Sequence, residues 1–290
     1  MDDIKTNLIE HVETLTRGIG ERSVRYLERL DRARDYIRTC YEAYGLPTRL
    51  EEYIYRRHSV ANVVAETGWE DGSGKRYLLG AHYDSVTGTV GADDNASAVA
   101  VQLETARLLA REAERGAPIH PARFVSFTLE EPPAFRSRYM GSRVHARSAR
   151  KNKERIDGMI CLEMVGYTRE RQYYPFPLMF FGYPKTGDFI GIVGNFGSRG
   201  LTRGLHTTIV ENTSLPAVKL TVPLGGWTLP SVRLSDHASF WDEGYHAVMV
   251  TDTAFFRNPN YHRASDTIET LDFDFMTELV KGLLCFFQNG

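Results

Sequence analysis

The stretch "LLGAHYDSVTGTVGADDNASAVA", residues 78–100, decides the fold class and poses the chemical question. It begins as an apolar strand, crosses a loop rich in Gly, Ser and Thr, and ends as a helix of small residues. Between strand and helix lie one histidine, His82, and three aspartates, Asp84, Asp93 and Asp94. In doubly wound sheets, ligands bind in the crevice beyond the carboxyl ends of the strands, which is where such a junction lies.

The neighbouring segments extend the pattern. "RYLLGAHYD" (76–84) is apolar enough for a central strand buried on both faces. A helix is predicted over residues 95–114, with Val99, Leu103, Ala106, Leu108 and Leu109 forming an apolar stripe. "ARFVSFTLEE" (122–131) and "IDGMICLEMVGY" (156–167) read as further central strands, separated by a helix near residues 141–150. Upstream, residues 4–17 read as a short amphipathic helix. Ser23 is placed to cap a second one, where Leu27, Leu30, Ala33, Ile37 and Tyr41 recur at helical spacing until Gly45 stops it. "TRLEEYIY" (48–55) and "SVANVVAE" (59–66) read as strands.

Downstream, the expected strands are "FPLMFFGY" (176–183), "AVKLTV" (217–222) and "HAVMVTDT" (246–253), followed by a closing helix over residues 273–287. "GIVGNFGSRG" (191–200) has the wrong glycine spacing for a dinucleotide loop and reads as a flexible loop or helix end. Tyr173, Tyr174, Phe176, Phe180 and Phe181 could line a pocket or a subunit contact, with core packing the favoured reading. Strands alternating with helices predict an α/β fold, a mostly parallel mixed central sheet flanked by helices on both faces. No linker or repeat divides the chain, so a single domain is expected. Residues 1–58 would supply N-terminal helices and a first strand that pack on a core of residues 59–290.

Composition narrows the function classes. Apolar residues make up 42% and charged residues 25%, ordinary globular usage, and a formal net charge of −2 gives no basic field for nucleic acid or an anionic membrane. The arginine-rich residues 136–155 are read as a solvated helix and loop. Cys40, Cys161 and Cys285 are too few and too widely spaced for a disulfide framework or a cysteine zinc site. Cys161 reads as a buried strand residue. No run approaches the about 18 apolar residues of a membrane span, and the polar start has no apolar signal region. A soluble protein is expected, cytoplasmic, or extracytoplasmic if a leader has been removed; the oligomeric state is left open.

The chemistry gathers at strand ends. His82 and Asp84 end one strand, Glu130 and Glu131 another, Glu163 a third, and His262 follows "HAVMVTDT" closely. Helix capping explains one of Asp93 and Asp94, but not a histidine and further carboxylates on neighbouring strands. Burying such carboxylates uncompensated costs several kcal/mol each, so a bound cation is expected. Carboxylate and imidazole donors with little thiolate suit Zn²⁺, and also Mn²⁺ or Co²⁺. Two histidines and three acidic ligands suffice for two ions sharing a carboxylate, about 3.5–4 Å apart in two-metal hydrolytic sites. Spacing alone leaves Asp93 and Asp94 equal candidates for the shared ligand.

In order and spacing, "HYDS", "GADDNAS", "EE", "LEM" and "YHRASDT" resemble the M28-type zinc aminopeptidases, exopeptidases with a co-catalytic pair of zinc ions. The resemblance runs from Ser59 to the C-terminus. It implies that His82 and Glu163 hold one zinc, that Glu131 and His262 hold the other, and that Asp94 bridges them. Glu130 would be the general base and Asp84 the residue that orients His82. The implied substrate is a peptide with a free N-terminus, whose amine meets the acidic cluster.

The sequence departs from the family pattern in places. Ala98 stands where a glycine is usual, Glu163 where many members have aspartate, and Pro132-Pro133 where the substrate loop is plainer. Asp236 and His237, in "RLSDHASFWDEGYHAV", match a further family stretch and are expected to brace the following loop rather than touch substrate. His11, His58, His120, His145, His206 and His246 are read as surface or packing residues.

Two rivals remain. Glutaminyl cyclases share this fold, resemble "HYDS", "EE" and "YMGSR", and typically use one zinc; "GADDNAS" matches the two-metal peptidases better. A non-catalytic binding domain on the same scaffold is disfavoured because all the candidate ligands and the base are present. The expectation is a metallo-aminopeptidase.

Overall fold

The computed structural model describes residues 4–69, 74–176 and 178–289. Its strands are β1 (Thr48–Tyr55), β2 (His58–Thr67), β3 (Tyr77–His82), β4 (Ala122–Phe127), β5 (Gly158–Glu163), β6 (Ile190–Asn195), β7 (Ala217–Val222) and β8 (Ala247–Thr251). The helices are α1 (Ile4–Glu13), α2 (Leu27–Ala43), α3 (Ala98–Glu114), α4 (Gly141–Lys151), α5 (Arg199–Asn212), α6 (His237–Asp242) and α7 (Phe273–Asn289).

One sheet holds all these strands in the order β1-β2-β4-β3-β5-β8-β6-β7. The pairs β3/β4, β3/β5, β5/β8 and β6/β7 are parallel, while β1/β2, β2/β4 and β6/β8 are antiparallel. From β3 the chain moves to β4 on one side, then crosses back to β5 on the other. The carboxyl end of β3 is therefore the topological switch point, where diverging connections leave a crevice. Every residue of β3, β4, β5 and β8 is buried, as parallel strands between two helical layers must be.

Helices α1, α2, α3, α5 and α7 cover one face and α4 and α6 the other. The larger core includes Leu103, Leu109, Phe124, Ile160, Leu279 and Phe286, and the smaller one Phe127, Cys161, Phe240 and Trp241. β1 is the edge strand of the same sheet, and α1 packs on α3 and α7. Among the described residues, no helix is long and apolar enough to cross a membrane.

Several expectations are corrected. The described residues of "FPLMFFGY" form no strand: Leu178–Phe180 makes one 3₁₀ turn, and Phe176, Phe180 and Phe181 are 76%, 73% and 68% exposed, while Pro177 lies outside the described residues. They belong to a long loop between β5 and β6, closed at its base by the Arg169–Gly187 bridge, so they are not core. The strand is instead Ile190–Asn195, in the segment read as a loop. A Cβ at Gly194 would strike the Thr202 hydroxyl, so this glycine serves close packing of α5 rather than chain flexibility. Ser23 does not cap α2, whose first cap position is Tyr26; its Oγ and carbonyl brace the preceding turn by accepting from the Arg25 and Tyr26 N–H groups. Helix α3 begins at Ala98 rather than Asn95, because Asn95 is drawn out of helical conformation toward β5. Its amide donates to the Leu162 carbonyl (3.1 Å) and accepts from Met164 N–H (2.9 Å).

Candidate active site

Strand β3 delivers His82 to the switch point. Its Nδ1 donates to the Asp84 carbonyl at 3.2 Å, with the Asp84 carboxylate at 3.5 Å, so the main chain of Asp84 is the nearer orienting group. That bond fixes the tautomer and leaves the Nε2 lone pair facing the carboxylates. Nε2 lies 3.4 Å from Asp94 Oδ1, 3.4 Å from Glu163 Oε2 and 3.9 Å from Glu130 Oε2. On the other side, His262 Nε2 lies 3.2 Å from Asp94 Oδ2 and 3.4 Å from Glu131 Oε2. Asp94 thus turns one oxygen toward each histidine, whereas the Asp93 carboxylate is taken up by Asn258 and the Gly166 N–H.

Buried polar groups hold the segments that carry these side chains. The Asp84 carboxylate accepts from the Glu130 and Glu131 N–H groups at 3.1 and 3.0 Å. The Asp266 carboxylate accepts from the Asp93 and Asp94 N–H groups at 2.8 and 3.1 Å. Ser235 Oγ donates to Glu163 Oε2 at 2.6 Å. Leu129, Met164 and His262 have φ of +57°, +50° and +57°, a strained region for residues with a Cβ, and they flank or form the site.

Asp266, Asn258 and Ser235 were not singled out in the sequence, although Asp266 lies within "YHRASDT" and Ser235 just before Asp236. A polar residue that holds a ligand through a main-chain N–H leaves no spacing signal. Asp236 is fully buried near His82 and Glu163, and burial pushes its carboxyl up to about 7. His237 Nε2 donates to the Val232 carbonyl at 2.7 Å and its ring stands edge-on to Trp241. Burial depresses its pKa to about 4.

The electrostatics call for a cation. Burial raises Glu130 far above the usual carboxylate range, despite the attraction of His82. Burial and then the nearby Asp94 raise Glu131 to about 8. Burial works against Asp94 ionisation, but the two histidines that face it, His262 and then His82, outweigh burial and hold that carboxyl below its ordinary value. Burial lowers His262, yet Asp94 and Glu131 lift it to about 10. Four clustered carboxyl groups against two imidazoles leave excess negative charge once ionised.

The donor set fits metal ions. His82 Nε2 and Glu131 Oε1 are buried without a hydrogen-bond partner. His82, Asp94 and Glu163 form one close-set group, and Asp94, Glu131 and His262 another. Tetrahedral zinc, with bonds of about 2.0–2.1 Å, spaces neighbouring donor atoms about 3.3 Å apart. The observed separations of 3.2–3.4 Å are too long for good hydrogen bonds and match that spacing.

Beside Glu163 opens a cleft walled by aromatic residues, among them Tyr173, Tyr183, Phe189, Phe255 and Tyr261. Glu163 is its one charged lining residue among the described residues. Tyr261 stacks on His262 with ring centroids 3.8 Å apart, so the cleft wall also steadies a candidate ligand.

A mixed sheet with carboxylate–histidine groups at its switch point has the zinc aminopeptidase-like architecture. The chain belongs to Peptidase family M28, whose profile matches residues 62–286. The uncharacterized protein YfbL of Escherichia coli (strain K12) is 35% identical, over 96% of this chain and 86% of that protein. Leucine aminopeptidase 1 of Metarhizium robertsii is 26% identical over 78% of this chain, which spans only 53% of that longer relative. Two solved structures share the fold with TM-scores of 0.71. They are Tannerella forsythia glutaminyl cyclase, at 19% identity, and a Zn-dependent exopeptidase from Parabacteroides distasonis, at 15%; each match covers 99% of this chain and 98% of the other.

Proposed function

We propose that this protein is a metallo-aminopeptidase that holds two zinc ions and releases apolar or aromatic residues from the free N-termini of peptides. The observation that carries the reading is Asp94, with one oxygen in the His82–Glu163 group and the other in the His262–Glu131 group. Membership of Peptidase family M28, a leucine aminopeptidase relative and a Zn-dependent exopeptidase neighbour support it. Once bound, two zinc ions would supply the charge that makes a water nucleophilic near neutral pH and polarises the scissile carbonyl.

The chain's own groups do the rest. Glu130, its Oε2 3.9 Å from His82 Nε2, stands beside the His82–Glu163 group and takes the proton of the attacking water. Its raised proton affinity, caused first by burial, suits it to pass that proton to the leaving amine as the C–N bond breaks. Asp84 grips the Glu130 N–H, so the carboxylate is aimed before substrate arrives. The acidic cluster attracts the substrate's α-amine, which favours cleavage at an N-terminus. The aromatic cleft takes the first side chain and offers a charged one no partner of opposite sign except where Glu163 stands.

The glutaminyl cyclase reading is weaker. Among the described residues, the one side-chain amide lining the cleft, Gln172, is committed to the Tyr173 carbonyl, Thr253 and Arg257, so little is left to grip a substrate glutamine. The test is mass spectrometry of the zinc-loaded protein with a pool of unblocked short peptides, several starting with Gln. Stepwise loss of single apolar N-terminal residues is expected, with N-acetylated versions inert. Loss of ammonia from Gln-initiated peptides alone would establish the cyclase instead.

A further inference from the structure

Arg22 lies outside the region matched by the family, in the turn between α1 and α2, yet it is 0% exposed. Its guanidinium reaches five main-chain carbonyls. Nε donates to Tyr83 O at 2.7 Å, Nη1 to Leu15, Gly20 and Val90 O at 3.1, 3.2 and 2.6 Å, and Nη2 to Gly91 O at 3.0 Å. Its own N–H donates to Ser85 Oγ at 3.0 Å. Tyr83 directly follows His82, and Gly91 opens the turn that carries Asp94. Gly91 adopts φ +55°, and a Cβ there would collide with the Asp94 carbonyl, so its placement fixes the course of the chain at Asp94.

One planar fork thus grips both ends of residues 83–91 and ties them to the N-terminal segment. Carbonyl oxygens converging at one buried point repel one another unless a cation sits among them. Guanidinium supplies donors in fixed directions that an ammonium group cannot match. Burial lowers the Arg22 pKa only to about 10, with Asp84 and Asp266 among the carboxylates that counter it, so the group stays charged at neutral pH.

We propose that Arg22 is a positioning residue that presets the His82 and Asp94 side of the metal centre, making the N-terminal segment part of the site. This rests on the metal reading above. The test uses the full chain as wild type, Arg22→Lys and Arg22→Met, with two readouts. One is Zn²⁺ affinity by competition with a chromophoric chelator, and the other is amide hydrogen exchange of residues 83–94 in metal-free protein.

Arg22→Lys keeps the charge but loses the fork. It should weaken Zn²⁺ binding by about 10–100-fold, the usual effect of losing a residue that supports a ligand. Exchange in residues 83–94 should quicken at least about tenfold while β5 and β8 keep their protection. Wild-type affinity and exchange in Arg22→Lys would overturn the proposal. Wild-type protein that binds no Zn²⁺ would overturn the metal reading, while exchange would still judge Arg22. If neither variant folds, wild-type exchange decides: residues 83–94 should open only with global unfolding, and faster local opening would refute the clamp.

Discussion

Glu130 and Glu131 are adjacent, yet the backbone sends them to different work. Asp84 holds both N–H groups, Leu129 ahead of them is in a left-handed conformation, and their carboxylates diverge toward His82 and His262 respectively. Glu130→Gln preserves shape and should keep both zinc ions while kcat falls by about 10²–10⁴, the usual contribution of a general acid–base. Elemental analysis beside steady-state kinetics checks this; loss of metal with activity retained would exchange the roles of the two glutamates. The candidate side chains that the fold brings together could be picked out because few residue types bind metal and because His82 and Glu163 end strands, with Glu130 and Glu131 just beyond another. Arg22 and Asp266 were not legible, since they act on main-chain atoms brought together only by the fold.

At the scale of elements, helices α1 and α2 meet through His11, whose Nδ1 lies 2.7 Å from the Tyr36 hydroxyl and Nε2 3.3 Å from that of Tyr44. Burial, then the charge of Arg107, lowers the His11 pKa from 6.5 to about 4. Above the unfolded value both states are neutral and the contact keeps its full worth. As pH falls below it, the unfolded chain binds a proton that the folded one refuses, so stability drops until the folded pKa is reached. Between pH 7.5 and 5 this amounts to about 2 kcal/mol. Urea midpoints should show that part of the pH dependence absent in His11→Gln; an unchanged pH dependence would mean that folding does not shift the His11 pKa. The buried strands β3, β4, β5 and β8 were readable as mostly apolar runs. β6 was hidden by glycines required for packing, and "FPLMFFGY" misled because a cleft-lining loop can be as apolar as a core strand.

Over the whole molecule, topology explains why the site is where it is. The reversal of strand order at β3 opens a crevice that parallel strands alone would not leave, and the carboxyl ends of β3, β4 and β5 all deliver ionisable groups to it. The aromatic cleft adjoins that crevice because the loop between β5 and β6 folds beside Glu163. Alternation of strands and helices made the sheet class legible, whereas the antiparallel placement of β6 against β8 depends on long-range pairing that no local pattern encodes. The most direct test of the account is native mass spectrometry of the wild-type and Asp94→Ala chains during zinc titration. Wild type should take up two zinc ions and Asp94→Ala at most one, far more weakly. A single ion in the wild type, or two retained without Asp94, would contradict the shared-carboxylate centre.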